Sequence, residues 1–164
     1  MKQGGFLKRT TSLKSYTKLL TTTKMLSRST LKTKSTFTKK PDTPQKTLDK
    51  VFSLYIRQKD TDHDGYVKCA TCPVIRHWKV MQCGHWKRRG NLATRYVEEN
   101  CAPQCEECNC DNNGEPEKFE QYIESRYGSM IVIKLEQLAN SICKDYPYEE
   151  QTKKYRNLLK ELNK

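Results

Sequence analysis

Two Cys-x-x-Cys pairs, Cys69-Ala70-Thr71-Cys72 and Cys105-Glu106-Glu107-Cys108, stand 32 residues apart. Each pair can offer two thiolates to one side of a tetrahedral cation, and two pairs close the shell. The pattern predicts one structural Zn²⁺ held by Cys69, Cys72, Cys105 and Cys108, on which folding depends because ligation free energy acts as folding free energy. Cys83, Cys101, Cys110 and Cys143 remain, and are read as ordinary thiols, Cys110 being near enough in sequence to compete with Cys108. The run Asp60-Thr61-Asp62-His63-Asp64-Gly65 has the opening of a calcium loop, but its twelfth position is Thr71 instead of a bidentate Glu, and Cys69 and Cys72 occupy the place of the exiting helix. A polar turn leading into a strand accounts for it.

Between the pairs, Trp78 to Trp86 reads as a strand that delivers His85 beside Gly84, where a bulky substrate could approach closely. Glu98 to Cys105, containing Asn100, returns to the second pair, and Asn109 follows Cys108 directly. Hydrolysis of a phosphodiester needs a base for the attacking water and positive charge for the phosphorane. His85 is the candidate base, since imidazole titrates near neutrality; Lys87, Arg88 and Arg89 follow it as candidate phosphate contacts. His63 and His77 are read as structural.

The order Cys-x-x-Cys, Gly-His, Asn, Cys-x-x-Cys-Asn resembles the HNH nuclease motif, a β-hairpin and helix around one metal, with Asn in place of the last His. Tyr55-Ile56-Arg57, Lys68 to Cys72, Gln82-Cys83-Gly84-His85, Pro103 to Asn109 and Tyr127-Gly128 together resemble the phage recombination protein NinG, or Rap, family over roughly residues 48–140. The resemblance implies a structure-directed endonuclease acting on branched or single-stranded DNA. It also implies that Asn100 holds the hairpin and orients His85, and that Asn109, beside His85, helps to bind a catalytic Mg²⁺ or Mn²⁺. The commoner HNH pattern has an acidic or His ligand directly before the base, where this chain has Gly84; His77, Gln82 or Glu98 are the candidates to replace it. A non-catalytic, zinc-stabilised nucleic-acid-binding protein is the alternative, and Gly84-His85, Asn100 and Asn109 favour the nuclease.

Helices must position this segment. Thr43-Pro44 is a good start signal, and Leu48, Val51, Phe52, Tyr55 and Ile56 form one apolar stripe ending before Asp60. A second helix opens at Glu115-Pro116, carries Phe119, Tyr122, Ile123 and Tyr127, and closes at Gly128. A third carries Ile131, Leu135, Leu138 and Ile142, and a fourth follows Pro147 with Tyr155, Leu158, Leu159 and Leu162. The expected fold is α+β: a small zinc-stapled, HNH-like ββα-metal module over 43–146 with flanking helices, then a C-terminal helix over 147–164.

Before it, residues 1–42 read as a disordered basic arm. Of the formal net charge of +12, residues 1–40 carry +11 from nine Lys and two Arg with no acid, and 15 of them are Ser or Thr. A Leu, Met or Phe recurs every six residues from Leu7 to Phe37, a period that makes neither a helical stripe nor a heptad seam. Lys8, Arg9, Lys14, Arg28, Lys32 and Lys34 are the arm's candidate DNA contacts, gaining affinity through counterion release. No apolar run exceeds four residues, Met130 to Ile133, far short of the roughly 20 a membrane span needs. No export signal is evident, so a cytoplasmic protein with reduced cysteines is expected. The oligomeric state is left open, a dimer included.

Overall fold

The computed structural model describes residues 40–164. The arm contacts Lys8, Arg9, Lys14, Arg28, Lys32 and Lys34 lie outside the described residues. Helix α1 spans Pro44–Gln58. Thr43 caps it, its hydroxyl accepting from the Lys46 amide at 3.3 Å, and Pro44 sits where its missing N–H costs nothing. Leu48, Phe52 and Ile56 are its buried stripe. The last helix, α5 (Tyr148–Leu162), packs on that stripe: the Tyr155 ring lies 4.9 Å from Phe52 and 5.2 Å from Tyr55.

Two antiparallel hairpins lie between. Strands β1 (Tyr66–Lys68) and β2 (Ile75–His77) pair as Val67↔Arg76. The turn into β1 is held by Asp62, whose Oδ1 accepts from the amides of Asp64 (3.1 Å) and Tyr66 (2.7 Å). Strands β3 (Gln82–His85) and β4 (Cys101–Gln104) pair with His85 opposite Cys101 and Gly84 opposite Ala102. The strand expected over Trp78–Trp86 is thus only partly a strand: Trp78–Val80 forms a 3₁₀ turn, capped by His77, whose Nδ1 accepts from the Lys79 amide at 3.2 Å. After β4 comes a single wide π-helical turn, Glu107–Asp111.

Every residue of β4 is buried, because successive side chains point to opposite faces and helices cover both. Cys101 joins Leu48, Phe52, Ile56, Tyr96 and Tyr155. Ala102 packs against Phe119 and Ile123 of α3 (Pro116–Tyr127) and Leu135 of α4 (Ser129–Ala139). Ile142, expected on the inner face of that helix, lies beyond its end and is exposed. The architecture is α+β, and among the described residues no helix is long and apolar enough to cross a membrane.

Candidate active site and metal centre

The four knuckle cysteines meet. Cys69 and Cys72 come from the turn after β1, Cys105 and Cys108 from the start of the π-turn after β4, and their sulfurs all lie within 4.8 Å of one another. Cys72 Sγ is 3.7 Å from Cys105 Sγ. The Cys105 amide donates to Cys69 Sγ at 3.4 Å, and the Thr71 hydroxyl lies 3.6 Å from the same sulfur. Burial opposes ionisation of Cys69, but bonds from the Cys105 and Thr71 backbone amides and the Thr71 hydroxyl outweigh it and bring the thiol down to about 7. Burial pushes Cys108 up to about 12. Four sulfurs with one already inclined to lose its proton fit a closed structural site for a metal such as zinc.

On the other hairpin, one face of β3 presents Cys83 and His85 to a cleft of about 640 Å³ that is also lined by Asp49, Arg57, Gln82, Arg89, Tyr96 and Asn109. His85 Nε2 is 3.0 Å from the Arg95 carbonyl oxygen. A carbonyl only accepts, so Nε2 carries the hydrogen and Nδ1 keeps its lone pair. Burial holds the imidazole below its usual pKa; the bond to the Arg95 carbonyl opposes this, and the nearby Arg89 charge adds to it. On balance these influences favour the neutral ring.

Asn100 explains why that carbonyl is in place. Fully buried, its Oδ1 accepts from the Lys87 amide at 2.7 Å, and its Nδ2 donates to the carbonyls of Lys87 (3.1 Å) and Thr94 (3.0 Å). It ties both ends of the 87–94 loop to β4 and does not reach the cleft. The short helix α2 (Leu92–Arg95) is fixed from α1 as well: Asp49 accepts from Arg95 Nε (3.0 Å) and Nη2 (2.7 Å), from the Tyr96 hydroxyl (2.8 Å), and pairs with Arg89 Nη2 at 3.0 Å.

Asn109 lines the same cleft, its Nδ2 donating to Gln82 Oε1, so Oδ1 is the atom it has to offer a cation. Of the three proposed replacements for a ligand before the base, only Gln82 lines this cleft. His77 is used as a cap, and Glu98 faces Lys59, Lys154 and Tyr155 elsewhere. Gly84 is not an opening for substrate. It is buried, and a Cβ there would stand 2.0 Å from Gln104 Oε1. Gln104 is locked across it, its Nε2 donating to Thr71 Oγ1 (3.0 Å) and the Gly114 carbonyl (2.9 Å).

The three basic residues after His85 diverge. Arg89 lines the cleft, Arg88 is exposed, and Lys87 lies 3.8 Å from the centre of the Trp86 ring while pairing with Glu136 at 3.3 Å. Arg57 is the functional candidate that the charge pattern did not single out. It lines the cleft, donates to the carbonyls of Ser53, Trp78 and Met81, and among the described residues forms no ion pair with a carboxylate. Its position on a polar edge of α1, two residues after the tyrosine of the apolar stripe, was the available signal.

No curated protein and no solved structure matches the chain. A family model described as bacteriophage lambda NinG protein matches residues 6–164. With nearly the whole length covered, the chain belongs to the NinG family.

Proposed function

We propose that this chain is a metal-dependent endonuclease that hydrolyses phosphodiester bonds in branched or recombination-intermediate DNA, in the phage recombination role its family suggests. The observation that carries the reading is the placement of His85, bonded through Nε2 to the Arg95 carbonyl and lining a cleft that Arg57 and Arg89 also line. A water placed at Nδ1 would give it a proton as it attacks phosphorus, and the two guanidiniums would hold the phosphate oxygens. The Asp49 carboxylate is committed to Arg89, Arg95 and Tyr96, so the oxygen donor left for a hard cation is Asn109 Oδ1. That suits an ion such as Mg²⁺ or Mn²⁺, which keeps several waters and takes other ligands from substrate phosphate. When bound, it supplies charge for the phosphorane and the leaving oxygen. The four-thiol site holds Zn²⁺ and fixes the hairpins.

Incubation with linear, forked and four-way DNA in Mg²⁺ or Mn²⁺ tests the proposal. Cleavage is expected for the wild type, and His85→Ala should lose roughly 10²- to 10⁴-fold in rate, the scale of a positioned general base, with melting and DNA binding retained. Asn109→Ala should also cleave slowly and recover in part at higher divalent-ion concentration, which His85→Ala should not. Absence of cleavage on every substrate would leave a zinc-stabilised DNA-binding protein; normal cleavage by His85→Ala would remove His85 as the base.

A further inference from the structure

We propose that Cys83, His85 and Cys101 form a second metal site, selective for a borderline-soft divalent cation such as Zn²⁺ and separate from the four-thiol cluster. The hairpin builds it. Cys83 and His85 are two apart on β3 and share a face, and the register sets Cys101 opposite His85. One ligand atom from each lies within 4.8 Å of the other two, close enough for small side-chain rotations to bring all three onto one ion. Two sulfurs and one imidazole nitrogen select zinc-like ions over Mg²⁺ or Ca²⁺.

Two features mark the trio as more than neighbouring thiols. A metal-bound histidine ordinarily donates its other ring N–H to a carbonyl or carboxylate that fixes its tautomer, and the Arg95 carbonyl already takes the Nε2 hydrogen at 3.0 Å. The free Nδ1 is then the ligating atom. Moreover, Cys83 and His85 line the cleft while Cys101 closes the site from behind, fully buried. An ion entering from the cleft gains three protein ligands and keeps one position open to water, the form of a reactive or exchangeable site and not of a closed structural one. Binding releases the two thiol protons to solvent and leaves a neutral Zn(thiolate)₂ unit, which the Arg57 and Arg89 charges beside it do not repel.

The consequence for activity rests on the function proposed above. Zinc here takes the Nδ1 lone pair that would accept the proton of the attacking water, so occupancy switches hydrolysis off, and the same cleft is read by two metals with opposite effects.

The site is tested by metal count, independently of cleavage. Full-length protein equilibrated with excess Zn²⁺ and freed of unbound ion should hold two zinc ions per chain. Cys83→Ala and Cys101→Ala should each hold one, with the four-thiol site intact. Co²⁺ titration should show the absorption of tetrahedral cobalt thiolate growing in two phases in the wild type and in one phase in Cys83→Ala. Cys83 is only half-buried, so this variant serves if Cys101→Ala fails to fold. One zinc per chain in the wild type, or two in Cys83→Ala, overturns the proposal. In the Mg²⁺ cleavage assay, a second equivalent of Zn²⁺ should suppress the wild type and spare Cys83→Ala. Undiminished cleavage with two zinc ions bound would overturn the inhibitory role alone, and absence of cleavage throughout would overturn the nuclease reading while the metal count still decides the site.

Discussion

Gly84 shows how one residue's side chain, or lack of one, decides what its neighbour can do. The space beside its Cα belongs to Gln104, whose Oε1 is buried without a hydrogen-bond partner among the described residues and would lie 2.0 Å from an added Cβ. Gly84→Ala should therefore destabilise the fold by about 1–3 kcal/mol, the usual cost of overpacking, measured by urea denaturation. Gln104→Ala removes the obstacle, so the double variant should be less unstable than the sum of the two, and a double-mutant cycle should return a favourable coupling. Strict additivity would mean that the strand shifts instead. The close packing also explains why no metal ligand precedes His85. At this scale the sequence was legible where chemistry alone restricts residue types: the four cysteines meet, and His85 and Asn109 share a cleft. It was misleading where a residue's meaning is set by a partner distant in sequence, since nothing around Gly84 reveals that Gln104 lies over it.

At the scale of elements, Asp49 is the link between α1 and the loop that carries the Arg95 carbonyl. Its neighbours overcome the opposing effect of burial and hold its carboxyl below the usual 3.8, the Arg95 and Tyr96 hydrogen bonds being the largest of the favourable influences. Asp49→Asn should cost on the order of 3 kcal/mol, because it leaves a half-buried Arg95 without its counter-charge. The sign of the pH effect follows from the depressed pKa: the stabilisation is complete above the ordinary carboxylate range and is lost as pH falls through the folded value, below 3.8. The difference in melting temperature between wild type and Asp49→Asn should thus be constant near neutrality and close in strong acid; a difference independent of pH would exclude the ion pairs as its source. Helices α1, α3 and α5 were readable to within a residue or two because caps, prolines and an apolar stripe are local signals. The strands were readable in place but not in extent: β1 follows the polar turn, and β3 lies within Trp78–Trp86 without filling it. Gln82-Cys83-Gly84-His85 has no alternation of apolar and polar residues, one of its faces lining a cleft, and the 3₁₀ turn before it is set by contacts of Trp78 and Met81 with Arg57 and Gly65.

For the whole molecule, charge is divided unevenly along the chain. Residues 1–40 carry +11 of the net +12, and the remaining 124 have 20 basic against 19 acidic residues. Deleting residues 1–40 should leave the thermal unfolding of the rest unchanged, weaken DNA binding and flatten the log–log dependence of affinity on salt. An unaltered salt slope in fluorescence anisotropy titrations would show that the arm neutralises no phosphates. The described residues have a division of their own, in time. Cys72 and Cys105 bracket Cys83, His85, Asn100 and Cys101, so most of the candidate site lies inside the loop that the two knuckles close, with Asn109 just beyond it. A nascent chain cannot close it until Cys108 has left the ribosome, and if the four sulfurs hold the proposed ion, His85 and Asn109 would come to share their cleft only once that ion is bound. On the proposed function, synthesis of the polypeptide and competence to cut would therefore be separate events, with the supply of metal setting the interval between them.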